Sequence, residues 1–271
     1  MKEINLDWIK QHVHPRQLAS HKKTFGHVLV VAGSEGKAGA AILCASAALH
    51  SGCGMVTAMI PKDAYQVLLK DCPELMYLQE GLIRNEHIEK FDAIVIGPGL
   101  GFSEHAKQNV KFILENYTGP VVIDADALSI VAANAFSLKS NHIVTPHPGE
   151  FSRLQGFEYD ANNRIGQAKI FIQQHAAVLV LKGAGTLVGS PSNELMQNTT
   201  GNDGMATAGS GDVLAGIIVS LCAQGYAPFI AAAVGVYLHG LAGDTAIKDI
   251  SKASLVATDL IRYLGKCRLI D

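Results

Sequence analysis

The stretch Asn198–Gly216, which reads NTTGNDGMATAGSGDVLAG, concentrates residue types that could bind and transfer a phosphate. Five glycines surround the acid Asp212, and the apolar run Val213–Cys222 follows it directly. Glycines let backbone N–H groups approach a ligand, and a helix that opens after them adds unpaired N–H groups and a positive dipole end. The stretch therefore predicts an anion-binding site, which proteins use most often for phosphate.

Asp212 needs its own explanation, because a carboxylate repels a phosphate instead of holding it. One interpretation is that Asp212 takes a proton from a hydroxyl that attacks phosphorus, as the catalytic Asp of a kinase does. The alternative is an ordinary residue of the first helical turn whose charge offsets the helix dipole. The pattern favours the catalytic base and leaves the alternative open.

Apolar, β-rich runs alternate with helical segments in the first two thirds of the chain, and each run ends in a glycine-rich or polar tip. The predicted strands are His27–Ala32, Met55–Ile60, Phe91–Ile96, Val121–Ile123, His142–Val144 and Ala177–Leu181. This repetition predicts a doubly wound, mostly parallel α/β sheet with helices on both faces. Its site should lie at the carboxyl ends of the strands.

The pattern changes after Lys182. Two short runs, Thr186–Gly189 and Glu194–Asn198, predict a hairpin at an antiparallel edge of the sheet. The chain then finishes in three predicted helices: Asp212–Gln224, Pro228–Ile247 and Ala253–Leu264. No linker or internal repeat divides the sequence, so we expect a single domain over residues 1–271.

Three other segments complete the prediction. Residues Met1–Thr24 read as a lead-in helix and loop, and Lys62–Lys90 as a polar stretch with a helix at Ala64–Lys70. The helix predicted at Ala38–Ser51 consists almost entirely of small and apolar residues. Because it is apolar on every side, we expect it to be buried, partly in a subunit interface.

Several predicted strands end in side chains that could take part in binding or catalysis. Asp124 and Asp126 stand two apart and could position magnesium or magnesium-bound water, or could form a turn that caps a helix from Ala127. Two prolines fix the backbone around His147 and Glu150, which suggests a rigid presentation of both side chains. Lys182–Thr186 could wrap a nucleotide while Lys182 neutralises phosphate, or could be a plain tight turn. We interpret three further acids as surface or cap residues: Asp203, Asp244 and Asp259.

Composition narrows the function further. A formal charge of −2 provides no basic field and argues against nucleic acid as a partner. Five cysteines without a CxxC pair or zinc spacing predict buried thiols in a reducing compartment. The N-terminus is too charged for a signal peptide, and no apolar run is judged long enough to span a bilayer, so we expect a cytoplasmic protein without a membrane partner. The sequence also lacks a P-loop and a Gly-x-Gly-x-x-Gly after the first strand.

From about His21 to Leu264, the order of the motifs resembles the ribokinase-like superfamily, and within it the NAD(P)H-hydrate dehydratases. The motifs are AGSEGKAGAA, SGCG, IGPGLG, VIDADAL, TPHPGEF, LKGAGTLV and NTTGNDGMATAGSGDVLAG. The resemblance implies a three-layer α/β/α ribokinase-like fold. Three positions depart from the family pattern: Ala208 stands where Gly is common, Asp203 where Pro is common, and Ser129 where Asn often follows DADAL.

The resemblance also implies site residues. Asp212 would be the catalytic base, and the anion hole would consist of Gly209, Ser210 and Gly211. The adenine nucleotide would contact Lys182, Gly183, Ala184, Gly185 and Thr186, together with Gly211. The hydrated nicotinamide substrate would contact Ala41, Gly99, His147 and Asp212. Mg²⁺ is expected with ligands unknown, the candidates through water being Asp124, Asp126 and Glu150.

The implied activity is the repair of hydrated NADH or NADPH with ADP or ATP, by phosphorylation of the ring hydroxyl and elimination of phosphate. The resemblance further implies a homotetramer. It also implies a separate NAD(P)H-hydrate epimerase, because this length leaves no room for an epimerase domain. Two alternatives remain: a kinase of a small alcohol such as hydroxyethylthiazole, and a nucleotide-sensing protein without turnover. The intact GSGD sequence speaks against the sensor.

Overall fold

A computed structural model describes residues 1–267 and 269, and these residues contain a ten-stranded sheet with helices on both faces. The strands are β1 (Lys2–Ile4), β2 (His27–Val31), β3 (Met55–Ile60), β4 (Met76–Gln79), β5 (Ala93–Ile96), β6 (Val121–Ile123), β7 (His142–Val144), β8 (Val178–Leu181), β9 (Leu187–Gly189) and β10 (Leu195–Asn198). Their order across the sheet is β1-β10-β9-β8-β7-β6-β5-β2-β3-β4. The expected three-layer α/β/α architecture is confirmed.

The helices connect these strands and finish the chain. They are α1 (Leu6–His12), α2 (Ala38–His50), α3 (Lys62–Asp71), α4 (Asn85–Ile88), α5 (Glu104–Asn116), α6 (Ala125–Asn134), α7 (Pro148–Gln155), α8 (Arg164–Gln174), α9 (Ser210–Ala223), α10 (Pro228–Ala246) and α11 (Ala257–Leu264). The three predicted C-terminal helices are therefore present with shifted ends.

Strand β9 is antiparallel to both of its neighbours, and the other pairs in the described sheet are parallel. The predicted hairpin is thus confirmed, but its predicted place at the sheet edge is wrong. Strand β1 adds to the outside of β10, with Lys2 opposite Met196. The prediction missed β1 because only Ile4 among its three residues is buried, which leaves no strand pattern to detect.

The opposite edge of the sheet also differs from the prediction. Strand β4 pairs with β3 inside the stretch predicted to be polar and partly helical. Its ends are exposed and its middle is half-buried, so it carries neither an apolar run nor a clear alternation. Edge strands of this kind are difficult to detect because one side of the strand has no partner that demands apolar residues.

The two faces of the sheet hold separate apolar cores. Along β2, Val28 and Val30 point into the core under α2, α9, α10 and α11. Leu29 and Val31 point into the core under α5, α6, α7 and α8. Burial on both faces explains the continuous apolar runs, because successive side chains of a strand alternate between faces.

Helix α2 packs directly on α9. A Cβ atom added to Gly216 of α9 would lie 2.2 Å from the Cys44 carbonyl oxygen, so only glycine allows this approach. Ala41, Cys44 and Ala48 of α2 are fully buried, as the small-residue pattern predicts. The packing fixes the start of α9 against the rest of the molecule; a contribution of α2 to a subunit interface stays a prediction.

Helix α10 corrects one expectation. Its 19 residues are long and apolar enough to cross a membrane, contrary to the prediction that no segment is. However, 67% of its most apolar window is buried inside the fold. The composition of α10 follows from its place in the core between α9 and α11.

Candidate active site

The N-terminus of α9 forms the centre of the candidate site. Gly209 occupies the N-cap position with φ 85° and ψ −10°, a left-handed conformation, and no side chain caps the helix. In the first turn, the N–H groups of Gly211 and Asp212 donate to no protein acceptor among the described residues, whereas the Ser210 N–H donates to the Thr207 carbonyl at 3.3 Å. The helix begins at Ser210, two residues before its predicted start, which places Asp212 inside the first turn.

The Asp212 carboxylate lies among other acids. Burial raises the pKa of Asp212 to about 7, and the nearby Asp124 carboxylate adds to the rise, while the Lys182 ammonium opposes it. Asp126 and Glu150 raise this pKa further. A carboxyl group with a pKa near neutrality can accept a proton at physiological pH, as general-base catalysis requires.

The Lys182 side chain extends from the end of β8 to the start of α9. Its Nζ lies 2.9 Å from Asp124 Oδ1 and 3.7 Å from Glu150 Oε2. A Cβ atom added to Gly211 would lie 3.3 Å from the same Nζ, so the ammonium borders the anion hole. Burial lowers the pKa of Lys182, but Asp124 and Glu150 outweigh this effect and raise it.

Asp124 and Asp126 have different partners. Asp124 is 1% exposed and accepts a hydrogen bond of 2.7 Å from Thr145 Oγ1, in addition to its contact with Lys182. Asp126 Oδ2 accepts from Lys37 Nζ at 3.0 Å and from the Gly101 N–H at 2.8 Å. Helix α6 begins at Ala125, not Ala127, and the Asp124 side chain makes no capping bond.

His147 and Glu150 cap α7 reciprocally. His147 Nδ1 accepts from the Gly149 N–H at 3.0 Å, and Glu150 Oε2 accepts from the His147 N–H at 2.8 Å. The remaining ring nitrogen, Nε2, lies 3.3 Å from Glu150 Oε1. The imidazole is therefore held in one orientation, although 53% of the side chain is exposed, as the prediction of a rigid His147 expects.

These carboxylates do not fit a metal site built from protein ligands alone. The described residues hold no group of three or more His, Cys, Asp or Glu side chains placed to bind a metal ion. Each of the three candidate carboxylates already contacts a lysine: Asp124 and Glu150 contact Lys182, and Asp126 contacts Lys37. Coordination through water stays a prediction.

The loop Lys182–Thr186 connects β8 to β9. Gly183 has φ +152° and Gly185 has φ +60°, conformations that favour glycine. The Thr186 hydroxyl donates to the Gly183 carbonyl at 3.0 Å. Arg164, which sequence reasoning missed, donates to the carbonyls of Ala184 (2.7 Å) and Gly185. No local sequence signal identifies Arg164, since it belongs to the preceding helix.

The remaining predicted substrate contacts lie on the β2 side of the site. Gly99 has φ +58°, and its carbonyl accepts from Ser34 Oγ at 2.8 Å, which joins the loops after β5 and β2. Ala41 is fully buried, and a Cβ on Gly33 would lie 3.2 Å from its methyl group. Ala41 therefore exposes no surface here, and its contact with substrate stays a prediction.

The loop before α9 is tied down at several points. Asp244 accepts from the Gly201 N–H at 2.8 Å and from Asn202 Nδ2 at 2.9 Å. His239 Nε2 lies 3.3 Å from Ser210 Oγ, a contact that the sequence did not reveal. Asp203 is 81% exposed and pairs with Lys252, which agrees with its interpretation as a surface residue.

The chain is similar to known proteins over most of its length. A family model (Carb_kinase) described as NAD(P)H-hydrate dehydratase matches residues 28–266. The bifunctional NAD(P)H-hydrate repair enzyme Nnr of Moorella thermoacetica is 39% identical over 274 residues, which cover 95% of this chain and 52% of that protein. The ADP-dependent (S)-NAD(P)H-hydrate dehydratase of Neisseria meningitidis serogroup B is 44% identical over 236 residues, which cover 83% of this chain and 78% of that protein.

A solved structure agrees with these relatives. The ADP/ATP-dependent NAD(P)H-hydrate dehydratase from Bacillus subtilis, co-crystallized with ATP/Mg²⁺, has a TM-score of 0.89 and 30% identity over 98% of this chain and 96% of that chain. The chain spans about half the length of the bifunctional relatives that it matches. From the extent of the family match and these identities, the chain belongs to the NAD(P)H-hydrate dehydratase family, with a ribokinase-like fold.

Proposed function

We propose that this protein dehydrates the (6S)-hydrates of NADH and NADPH in a reaction driven by an adenine nucleotide. The observation that carries the proposal is the Asp212 carboxylate, which has a pKa of about 7 and lies in the first turn of α9 beside Gly209–Gly211. This arrangement combines a base with a group of anion-binding N–H donors. The family and the names of its members select the hydrated dinucleotide as the substrate.

The first step is phosphoryl transfer. The Asp212 carboxylate takes the proton of the hydroxyl on C6 of the ring, and the oxygen attacks the terminal phosphorus of the nucleotide. The bond from phosphorus to the bridging oxygen breaks, so that ADP leaves as AMP, or ATP as ADP. The N–H groups at the start of α9 stabilise the charge on the transferred group.

The second step is elimination. The C6–O bond breaks and phosphate leaves, while the lone pair of the ring nitrogen supplies the electrons. The departing phosphate accepts the proton from C5, and the C5–H electrons form the C5=C6 double bond, which restores the reduced nicotinamide. Phosphorylation is necessary because hydroxide is a poor leaving group and phosphate is a good one.

We propose ADP as the physiological donor, supported by the ADP-dependent name of the Neisseria meningitidis relative. Mg²⁺ would arrive bound to the nucleotide phosphates, because Mg²⁺ is usually held by one or two carboxylates plus substrate phosphates. The ATP/Mg²⁺ co-crystallization of the Bacillus subtilis protein supports this.

The kinase of a small alcohol such as hydroxyethylthiazole is not favoured. It would use the same base and anion hole, so the geometry near Asp212 does not separate it from the dehydratase. The separation comes from the relatives, because the chain covers 78% of the Neisseria meningitidis dehydratase at 44% identity.

The test is an absorbance assay in the reduced-nicotinamide band with hydrated NADH, Mg²⁺ and either ADP or ATP. We expect a rise that requires nucleotide, with one AMP formed for each NADH when ADP is the donor. A matched reaction contains hydroxyethylthiazole in place of the hydrate. A stable phosphate ester in that reaction, with no absorbance rise from the hydrate, would overturn the proposal.

The proposal extends to a cytoplasmic homotetramer that works together with an epimerase activity on the same hydrates. The five cysteines are free, with four buried, which is compatible with a reducing compartment. The name of the bifunctional relatives supports a partner activity on the same hydrates. Light scattering coupled to gel filtration would measure the oligomeric state, and a monomer at assay concentration would contradict the tetramer.

A further inference from the structure

We infer that Arg164 is a positioning residue for the nucleotide-binding loop. Its guanidinium binds two loop carbonyls and thereby orients the loop N–H groups toward the nucleotide. The inference deepens the proposed function, since it assumes that the Lys182–Thr186 loop binds the nucleotide. Arg164 is the first residue of α8, and it lies outside every motif that identifies the site.

The carbonyl groups of the nucleotide-binding loop are held from one side. Three successive carbonyl groups already have partners: Gly183 accepts from the Thr186 hydroxyl at 3.0 Å, and Ala184 and Gly185 accept from the two terminal nitrogens of Arg164. A guanidinium presents its donors in a rigid planar fork, so one side chain can fix two adjacent peptides. Lys or Gln cannot reproduce that fork.

The direction of the N–H groups follows from the planarity of the peptide bond. In a trans peptide, the carbonyl of one residue and the N–H of the next point in opposite directions, and the described chain contains no cis peptide. Because the carbonyls of Ala184 and Gly185 point to Arg164, the N–H groups of Gly185 and Thr186 point away from it. Arg164 therefore turns two donors toward the opposite side of the loop.

The loop donors are also free to bind. Among the described residues, the N–H groups of Gly185 and Thr186, like those of Gly183 and Ala184, donate to no protein acceptor. Glycine suits position 185 because its φ is +60° and because the Gln197 side-chain amide lies where a Cβ atom would be. A row of N–H groups without protein acceptors can bind the acceptor atoms of a nucleotide, and the Arg164 guanidinium lies on the other side of the loop.

Arg164 carries a charge that no carboxylate neutralises. Its recorded partners are two backbone carbonyls, and it forms no ion pair within the described part of the chain. Hydrogen bonds from a charged donor are stronger than neutral ones, and removal of the donor leaves two carbonyls unpaired. The positive charge also favours the binding of a nucleotide whose phosphates approach the loop.

The experiment measures nucleotide binding directly, by calorimetry with Mg²⁺ and ADP, and compares the full chain with R164Q, R164K and K169Q. Lys169 is an exposed cation on the same helix and provides the matched control. We expect R164Q to weaken ADP binding roughly tenfold to a hundredfold, because the nucleotide must then order a loop that two charged hydrogen bonds hold in the wild type. R164K should lose less, because an ammonium can still reach one carbonyl, and K169Q should bind ADP as the wild type does.

A kinetic comparison separates positioning from general damage to the fold. R164Q should raise the KM for the nucleotide, leave the KM for the dinucleotide substrate unchanged, and keep kcat at saturating nucleotide within about threefold. If R164Q bound ADP as tightly as the wild type, or if both KM values rose equally, the inference would be wrong. If the wild type itself bound no adenine nucleotide, the proposed function would fail together with the inference. Thermal melts verify folding, and R164K keeps the test open if R164Q does not fold.

Discussion

The fold makes the charged form of the Asp212 side chain unfavourable. Burial raises the pKa of this carboxyl from 3.8 to about 7. A raised carboxyl pKa contributes stability that is fully present below the ordinary value and is lost as the pH rises through 7. The residue therefore destabilises the folded protein at a pH at which its carboxylate is ionised, as perturbed groups at functional sites often do.

We expect D212N to lower kcat/KM at least a hundredfold at pH 8, because the variant has no base to accept the hydroxyl proton. Wild-type kcat/KM should rise with pH and level off above an apparent pKa near 7. The unfolding temperature of D212N should exceed that of the wild type at pH 8 and match it more closely at pH 5. A pH series of initial rates and thermal melts measures both effects.

The matched control is D203N, which removes an exposed acid from the loop that leads to the site. It should keep the activity and the pH profile of the wild type. Wild-type activity in D212N, or a pH profile of kcat/KM that is flat between pH 5 and 9 in the wild type, would contradict the role of Asp212.

The sequence predicted the candidate site residues whose neighbours in the chain form a recognisable pattern. Asp212 is recognisable because glycines precede it and an apolar helix follows it, and Lys182 because it ends a buried strand. The hydrogen-bond and ion-pair partners of each side chain were not predictable. Asp124 and Glu150 meet Lys182 only because parallel strands bring separate loops to one edge of the sheet, and such pairs depend on three-dimensional position.

At the scale of the element, the start of α9 depends on its surroundings. A Cβ atom on Gly209 would lie 2.4 Å from Leu43 Cδ1 of α2 and 3.1 Å from the Ala257 methyl group of α11. Two helices therefore enclose the glycine that caps a third. The left-handed backbone and the lack of space both require glycine at this position.

We expect G209A to weaken nucleotide binding at least tenfold and to lower the unfolding temperature. The added methyl group strains the left-handed backbone by about 1–2 kcal/mol and also displaces Leu43. The control is G225A, which lies just beyond the other end of α9 with φ +92° and has open space around its Cβ. G225A should be strained to a similar degree yet bind nucleotide normally. Equal ADP affinities for the two variants by calorimetry would contradict the argument.

Elements with apolar runs were predictable, and elements at the edges were not. The strands of the sheet centre have two covered faces, so burial dictates their composition. β1 and β4 lie at the two ends of the sheet, where each has a partner on one side alone, and the partner of β1 is far away in the chain. The small-residue pattern of α2 predicted its burial, but the close approach of Gly216 to Cys44 required the structure.

At the scale of the molecule, a buried histidine links stability to pH. His142 of β7 is fully buried, and its Nδ1 accepts from the Lys139 N–H at 3.1 Å. Nε2 has no hydrogen-bond partner among the described residues. Burial lowers the pKa of His142 to about 4, with a smaller contribution from the Lys139 charge. A lowered histidine pKa gives stability above pH 6.5 that is lost as the pH falls toward 4.

We expect H142L to reduce the loss of stability between pH 7 and pH 4 by about 3 kcal/mol, since each pKa unit corresponds to about 1.4 kcal/mol. Urea titrations at a series of pH values measure the free energy of unfolding. H105Q, which changes an exposed histidine of α5, provides the control and should follow the wild type. If H142L lost stability on acidification as steeply as the wild type, the buried imidazole would not be the cause.

Strand β1 has a consequence for the order in which the molecule is made. Lys2 contacts Glu194 across a separation of 192 residues, so the first strand of the chain has no partner until β10 has been synthesised. At cellular rates, the wait amounts to roughly ten to forty seconds. The central strands must therefore assemble without β1. A chain that lacks Lys2–Ile4 would leave the β10 edge of the sheet open to pairing with another molecule.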